Sequence, residues 1–267
     1  MLSRSPTSTT RAELEAFVEA PSAFSPPTPD SVQLTSRRFT LIGWPGGTWT
    51  AVQRIRLRDG EAPDAVEEVR AFMRETRTSL ASWWVCERST PIDVEAQLLG
   101  AGLRIVPGDY EIEGMLLTKA PPPSAPEVSA RAVSSVEEYV EAHLVQYEAF
   151  GTPAGQRQDE ATLAAGYEVD RRAGVVVLYA AWLDGRIAGA GRAIFAPCGV
   201  FLSGGATAPW ARSRGVYRAL VRARWDDAAA RGTPALAVHA GAMSAPILRR
   251  LGFEAVCSFR RLQGEAS

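Results

Sequence analysis

The stretch Ser203-Gly204-Gly205-Ala206-Thr207-Ala208-Pro209-Trp210-Ala211-Arg212-Ser213-Arg214-Gly215-Val216-Tyr217-Arg218-Ala219-Leu220 decides how this 267-residue chain is read. Residues 200–207 predict a strand ending at Thr207. Pro209 marks a turn, and residues 216–230 predict a helix with Leu220 and Trp225 among its apolar positions. Arg212, Arg214 and Arg218 surround Gly215 where that helix begins. The first amides of a helix lack intrahelical acceptors, and its dipole adds partial positive charge there. Gly215 has no side chain to keep a ligand off the backbone. Together these features suit a phosphate or pyrophosphate, with guanidinium groups adding charge-assisted bonds. The same spacing also describes a solvated helix edge with a turn glycine, because short glycine motifs recur by chance. A P-loop is excluded, since no Gly-Lys-Ser/Thr follows, and the triple glycine of a dinucleotide fold is missing.

Working outward, the second half predicts a strand at 129–133 and a helix from Ser135 to about Phe150, capped by Ser135 with Glu137 and Glu138 in its first turn. A helix at 159–172 follows, then close-set strands at 175–182, 186–195 and 200–207. The helix at 216–230 leads to a strand at 235–238, a helix at 244–251 and a last strand at 254–261. The order β-α-α-β-β-β-α-β-α-β predicts an α/β (α+β) sheet with helices on its faces. The first half predicts strands at 38–44 and 48–55, a helix at 65–75, a strand at 82–86, a helix at 93–101 and a strand at 110–118. Consecutive prolines at 121–123 predict an extended spacer. The expected organisation is a flexible arm over 1–30 with a short helix at 11–20, a small α/β unit over 31–119, a linker over 120–127 and a second domain over 128–267.

Two motifs resemble one family. Arg212-Ser213-Arg214-Gly215-Val216-Tyr217 resembles the R/Q-x-x-G-x-G/A signature of the GNAT superfamily of acetyl-CoA-dependent N-acetyltransferases, with Thr207-Ala208-Pro209 at its strand-end V-x-P. Ser244-Ala245-Pro246-Ile247-Leu248-Arg249-Arg250-Leu251-Gly252-Phe253 resembles its later helix, and the spacing between the two is similar. The resemblance covers about 128–263 and implies a splayed central sheet with acetyl-CoA as co-substrate in the gap. It implies that backbone amides of Ser213, Arg214, Gly215, Val216, Tyr217 and Arg218, with Arg212 beside them, hold the pyrophosphate. Ala206 and Thr207 would align the pantetheine arm, and Ser244 would lie near the cofactor. It further implies acetyl transfer by direct attack of a primary amine, on a small molecule or a peptide. The alternative reading is a non-catalytic acyl-CoA-binding or regulatory protein, and a third is an interaction scaffold without a cofactor.

The sequence departs from the family at three places. Tyr217 replaces the signature's last Gly or Ala, and its ring must point away from the phosphates or cover them. The usual Asn before the later helix is absent, and the usual Tyr that protonates the leaving thiolate falls on Leu248. His239, near the end of the preceding strand, is the candidate catalytic base; it also reads as a packed strand histidine. Glu148 reads as an acceptor-side or a solvated carboxylate, and Cys198 and Cys257 as packed or surface thiols. The first half reads either as a degenerate second copy of the same fold or as an unrelated small α/β unit.

Composition bounds the rest. Lys plus Arg is 29 and Asp plus Glu 30, a formal charge of −1, which argues against a general nucleic-acid binder. Two histidines and three scattered cysteines supply no metal-ligand spacing and no disulfide framework, so no metal and a reducing, cytoplasmic compartment are expected. No apolar run is long enough for a bilayer, and the first residues lack the apolar core of a signal peptide.

Overall fold

A computed structural model of the chain describes residues 9–28, 30–47, 49–106 and 112–266. Residues 1–8 of the arm and the predicted strand starts at 48 and 110 lie outside the described residues. The first half runs through α1 (Arg11–Glu19), β1 (Val32–Thr35), β2 (Thr40–Gly43), β3 (Trp49–Gln53), α2 (Ala62–Thr76), β4 (Leu80–Cys86), α3 (Val94–Gly100), β5 (Arg104–Ile105) and β6 (Ile112–Leu117). The second half runs through β7 (Val128–Ala132), α4 (Val136–Phe150), α5 (Glu160–Ala173), β8 (Val176–Leu183), β9 (Arg186–Ala196) and β10 (Gly199–Thr207). It ends with α6 (Val216–Ala230), β11 (Leu236–Ala240), α7 (Ala245–Arg250) and β12 (Glu254–Glu265). Local chemistry sets many of these limits. The Ser135 and Asp159 side chains accept from the Glu138 and Thr162 amides at the starts of α4 and α5, and left-handed Gly151 and Gly174 close those helices. Asp184 and Gly185, both at positive φ, turn β8 into β9.

The described strands form one mixed sheet in the order β1-β2-β3-β4-β12-β6-β11-β10-β9-β8-β7, with β5 against β12. Helices cover both faces. Gly191 on β9 faces the Arg224 guanidinium of α6, whereas its neighbour Arg192 reaches His143 of α4. Successive residues of a strand point to opposite faces, so α4 and α6 lie on opposite sides.

Two expectations are corrected here. β6 precedes the Pro-rich segment yet lies between β11 and β12, with Met115 opposite Val238 on one side and Ala255 on the other. β12 in turn pairs with β4, from Phe259↔Cys86 to Glu265↔Leu80. Hydrogen-bond ladders therefore cross the expected 120–127 boundary in both directions, and that segment is not a spacer between separately closed sheets. The expected flexible arm is the second correction, for its described part. Its predicted helix is present as α1, opened by a Thr10–Glu13 capping box. Phe17 and Val18 are fully buried in a cluster with Leu116, Ala237 and Phe259. Glu19, almost wholly buried, pairs with Arg56 at 2.7 Å. At about 1.5–3 kcal/mol per buried apolar side chain, this packing holds the helix in the core.

The feature that places the site is a break between β10 and β11. They are parallel neighbours from Val200↔Leu236 to Leu202↔Val238, and no register joins them after that. β10 continues to Thr207 and β11 to Ala240. A bulge between Ser203 and Ala206, with Gly204 at φ +61°, bends β10 away from its partner. The sheet opens into a wedge at its centre.

Candidate active site

The turn after β10 faces this wedge. Ser213 and Gly215 take left-handed φ values of +64° and +81°, which aim successive amides of the turn outward. Gly215 is the N-cap of α6, and no side chain caps the helix. Among the described residues, the amides of 213–218 have no hydrogen-bond acceptor; the first backbone bond of α6 is Ala219 N–H to Gly215 O at 3.0 Å. A Cβ on Gly215 would meet nothing closer than Ala125, at 3.5 Å, so φ rather than space demands glycine there.

These amides open onto a cavity of about 1170 Å³. Ala206, Thr207, Arg212, Ser213, Gly215, Val216, Tyr217 and Arg218 line one side, and Ser244, at the head of α7, lines the other. The structure thus brings nine of the ten candidate cofactor residues together. The tenth, Arg214, does not line the cavity; its guanidinium pairs with Asp184 of the β8–β9 turn at 3.0 Å. Arg250, which the sequence reading passed over, lines the cavity from α7. Leu248, in the place of the family's tyrosine, is fully buried.

A second cavity of about 850 Å³ meets the first, and Phe150, Gly205, Tyr217 and Ser244 border both. Tyr217 therefore neither turns away from the wedge nor extends over the turn. Its ring lies against Gly205, where a Cβ would stand 2.8 Å from Cε2. Burial pushes its pKa up, so the phenol stays protonated.

His239 lines the second cavity and not the one beneath the turn. Its Nε2 donates to Val18 O at 2.7 Å, which leaves Nδ1 as the ring's lone pair. The ring sits among Trp84, Phe201 and Phe259, with centroids 4.6–4.9 Å away. Burial pushes its pKa down to about 4. His239, the expected base, is thus weakly basic at neutral pH, because the apolar box disfavours the imidazolium. Glu148 is exposed and lines neither cavity. Burial pushes the Cys198 thiol up to about 11, and a hydrogen bond with Cys86 helps push Cys257 up.

The second cavity also holds side chains that the sequence reading missed. Arg192 donates to His143 Nε2 at 2.9 Å, and His143 Nδ1 donates to Tyr139 O at 2.8 Å, which fixes the tautomer. Asp170, also on this cavity, accepts from the Tyr139 hydroxyl at 2.9 Å, and burial pushes its pKa up. Arg224 lines the same space from α6. The signal was present: Arg224 falls seven residues after Tyr217 and four after Leu220, on the apolar stripe of α6, where a solvated arginine has no place.

No family model and no curated protein matches the sequence. Solved structures do match the fold. A GCN5-related N-acetyltransferase from Kribbella flavida aligns over 94% of this chain and 95% of its own, at TM-score 0.65 and 16% identity. Another, from Sphaerobacter thermophilus, aligns over 86% and 81%, at TM-score 0.61 and 16% identity. A tandem GNAT protein from the clavulanic acid biosynthesis pathway aligns over 96% and 88%, at TM-score 0.60 and 13% identity. The fold resemblance read from the two motifs holds, and it extends over most of the chain.

Proposed function

We propose that this chain, with the fold of the GCN5-related N-acetyltransferases, transfers an acetyl group from acetyl-CoA to a primary amine of a small molecule or peptide. The observation that carries the reading is the set of unpaired amides at 213–218, opening onto a cavity that meets a second one at the wedge. Those donors, with Arg212 and Arg218 beside them, fit a pyrophosphate. The free edge of β10 at Ala206 and Thr207 fits an extended amide-bearing arm.

The neutral amine attacks the acetyl carbonyl, a C–N bond forms and the C–S bond breaks; the nitrogen gives up one proton to water and the thiolate takes one, leaving the amide and the free thiol. Holding the two reactants in adjoining cavities supplies the proximity that such a step needs. Tyr217 is the phenol that borders both cavities, and we assign it the proton donation that Leu248 cannot make. No serine or cysteine with an adjacent base faces the wedge among the described residues, which supports direct attack over a covalent intermediate. The first half walls the acceptor side, since Pro21, Ser22, Gln53 and Trp84 line the second cavity. The tandem neighbour's match to nearly the whole chain supports reading this half as a degenerate second copy. Among the described residues no helix is long and apolar enough to cross a membrane.

Buried Leu248 and weakly basic His239 favour a second reading, a CoA-binding protein without turnover. Thiol release from acetyl-CoA with a panel of primary amines separates the two. Release with at least one amine supports transfer; CoA binding without release across the panel supports the second reading.

A further inference from the structure

Arg224 is one of the largest fully buried side chains, at 1% exposure, and among the described residues it has no carboxylate partner. Its Nε donates to Leu220 O at 2.9 Å and its Nη1 to Arg192 O at 3.1 Å. Nη2 is buried with no partner among the described residues. The nearby acid on α6, Asp227, accepts from the Tyr179 hydroxyl. A guanidinium stays charged in proteins, and a buried charge without a counter-ion costs several kcal/mol. Arg192 repeats the pattern on the opposite face of β9. Its side chain meets His143, which burial holds neutral with a pKa of about 4, and the Tyr139 hydroxyl, while its Nε is buried without a partner. Both arginines line the second cavity. Asp170 and Asp30 also line it, but neither forms an ion pair with these arginines within 4 Å, and Asp170 is engaged by Tyr139.

We infer that the second cavity takes an amine acceptor that also carries a carboxylate, which Arg224 receives, with Arg192 adding positive charge to the same cavity from the other face of β9. The position of Arg224 narrows the class. A Cβ on Gly191 would stand 2.9 Å from Arg224 Nη1 and 3.3 Å from the Cα of Gly205, and Gly205 borders both cavities. The anion therefore sits next to the place where the cavities meet, within a few bonds of the attacking nitrogen, as in an α- or β-amino acid. Trp84, Phe201 and His239 line the same space and suit an apolar side chain on that amino acid. Guanidinium groups suit a planar carboxylate through paired N–H donors.

This inference rests on the transferase reading, and its test keeps the two apart. Thiol release from acetyl-CoA is measured with L-phenylalanine, L-leucine and β-alanine, each beside its methyl ester and its decarboxylated amine. The wild type, Arg224→Met and Arg192→Met are compared. A second readout is the thermal shift that each amino acid gives with CoA present. The expected result is at least a hundredfold higher kcat/KM for an acid than for its ester in the wild type. Arg224→Met should lose that preference while its CoA affinity stays within twofold; Arg192→Met, at a half-buried site, checks the same point should Arg224→Met fail to fold. Esters turned over as well as acids would overturn the inference. If no amine releases thiol, the transferase reading falls; a thermal shift by the acids alone, lost in the arginine variants, would then still uphold the carboxylate site. Absence of both release and shift overturns both.

Discussion

Gly215 and Tyr217 show how much can turn on single positions. Gly215 at φ +81° lets the chain enter α6 with its first amides free. Tyr217, read from the sequence only as a departure from a signature, has its ring on Gly205 at the junction of two cavities. Tyr217→Phe keeps the amide and the packing and removes the hydroxyl. It should lower kcat by roughly 10²-fold while leaving CoA affinity unchanged. An unchanged kcat would remove Tyr217 from the proton path. The two buried histidines make a second residue-scale test. Burial lowers both His143 and His239 from 6.5 to about 4 in the fold. Above pH 6.5 both rings are neutral, folded or unfolded. Between 6.5 and 4 the unfolded chain binds protons that the folded one refuses, so stability falls on acidification, by up to roughly 3 kcal/mol per ring. Melting temperatures at pH 7.5, 5.5 and 4.5 should fall in that order, and His239→Gln should flatten the slope. A flat profile in the wild type would contradict the burial argument.

At the scale of elements, local chemistry was legible and long-range pairing was not. The caps at Ser135 and Asp159, the Asp184-Gly185 turn and the apolar runs of β8, β9 and β10 act within a few residues, so the sequence shows them directly. The turn that leaves the first amides of α6 free was legible for the same reason. The side-chain partner of Arg214 was not legible, because Asp184 lies 30 residues upstream and proximity along the chain gives no hint of it. The burial of Arg224 was legible from its place on the apolar stripe of α6, but its neighbours on β9 were not, since they lie some 32 residues upstream. Helix α1 looked like part of a loose arm because its partners, Leu116, Ala237 and Phe259, are remote in sequence. Phe17→Ala should therefore cost about 3–5 kcal/mol in urea unfolding. A loss below about 1 kcal/mol would mean that α1 is docked weakly.

For the whole molecule, β6 is the element that joins the halves. It fills the space between β11 and β12, while β12 reaches back to β4. No composition shift announces such an exchange, and the prolines at 121–123 suggested the opposite. A fragment of residues 120–267 would lack β6 and expose unpaired edges of β11 and β12. It should express as insoluble or aggregated material, whereas co-expression with residues 1–119 should recover soluble protein. A monomeric, cooperatively folding 120–267 fragment would show that the shared sheet is dispensable. The arrangement also gives the second cavity a wall from the first half, so on the proposed reading specificity for an amine would belong to the pair of halves rather than to the second alone.

The central claim is that the free amides at the start of α6 bind a diphosphate, and calorimetric titration of the full chain with CoA tests it most directly, beside Gly215→Glu. The account expects saturable one-to-one binding to the wild type and its loss in the variant, which adds a negative charge and a strained left-handed side chain at the approach to those amides. No binding to the wild type, or equal affinity in the variant, would contradict it.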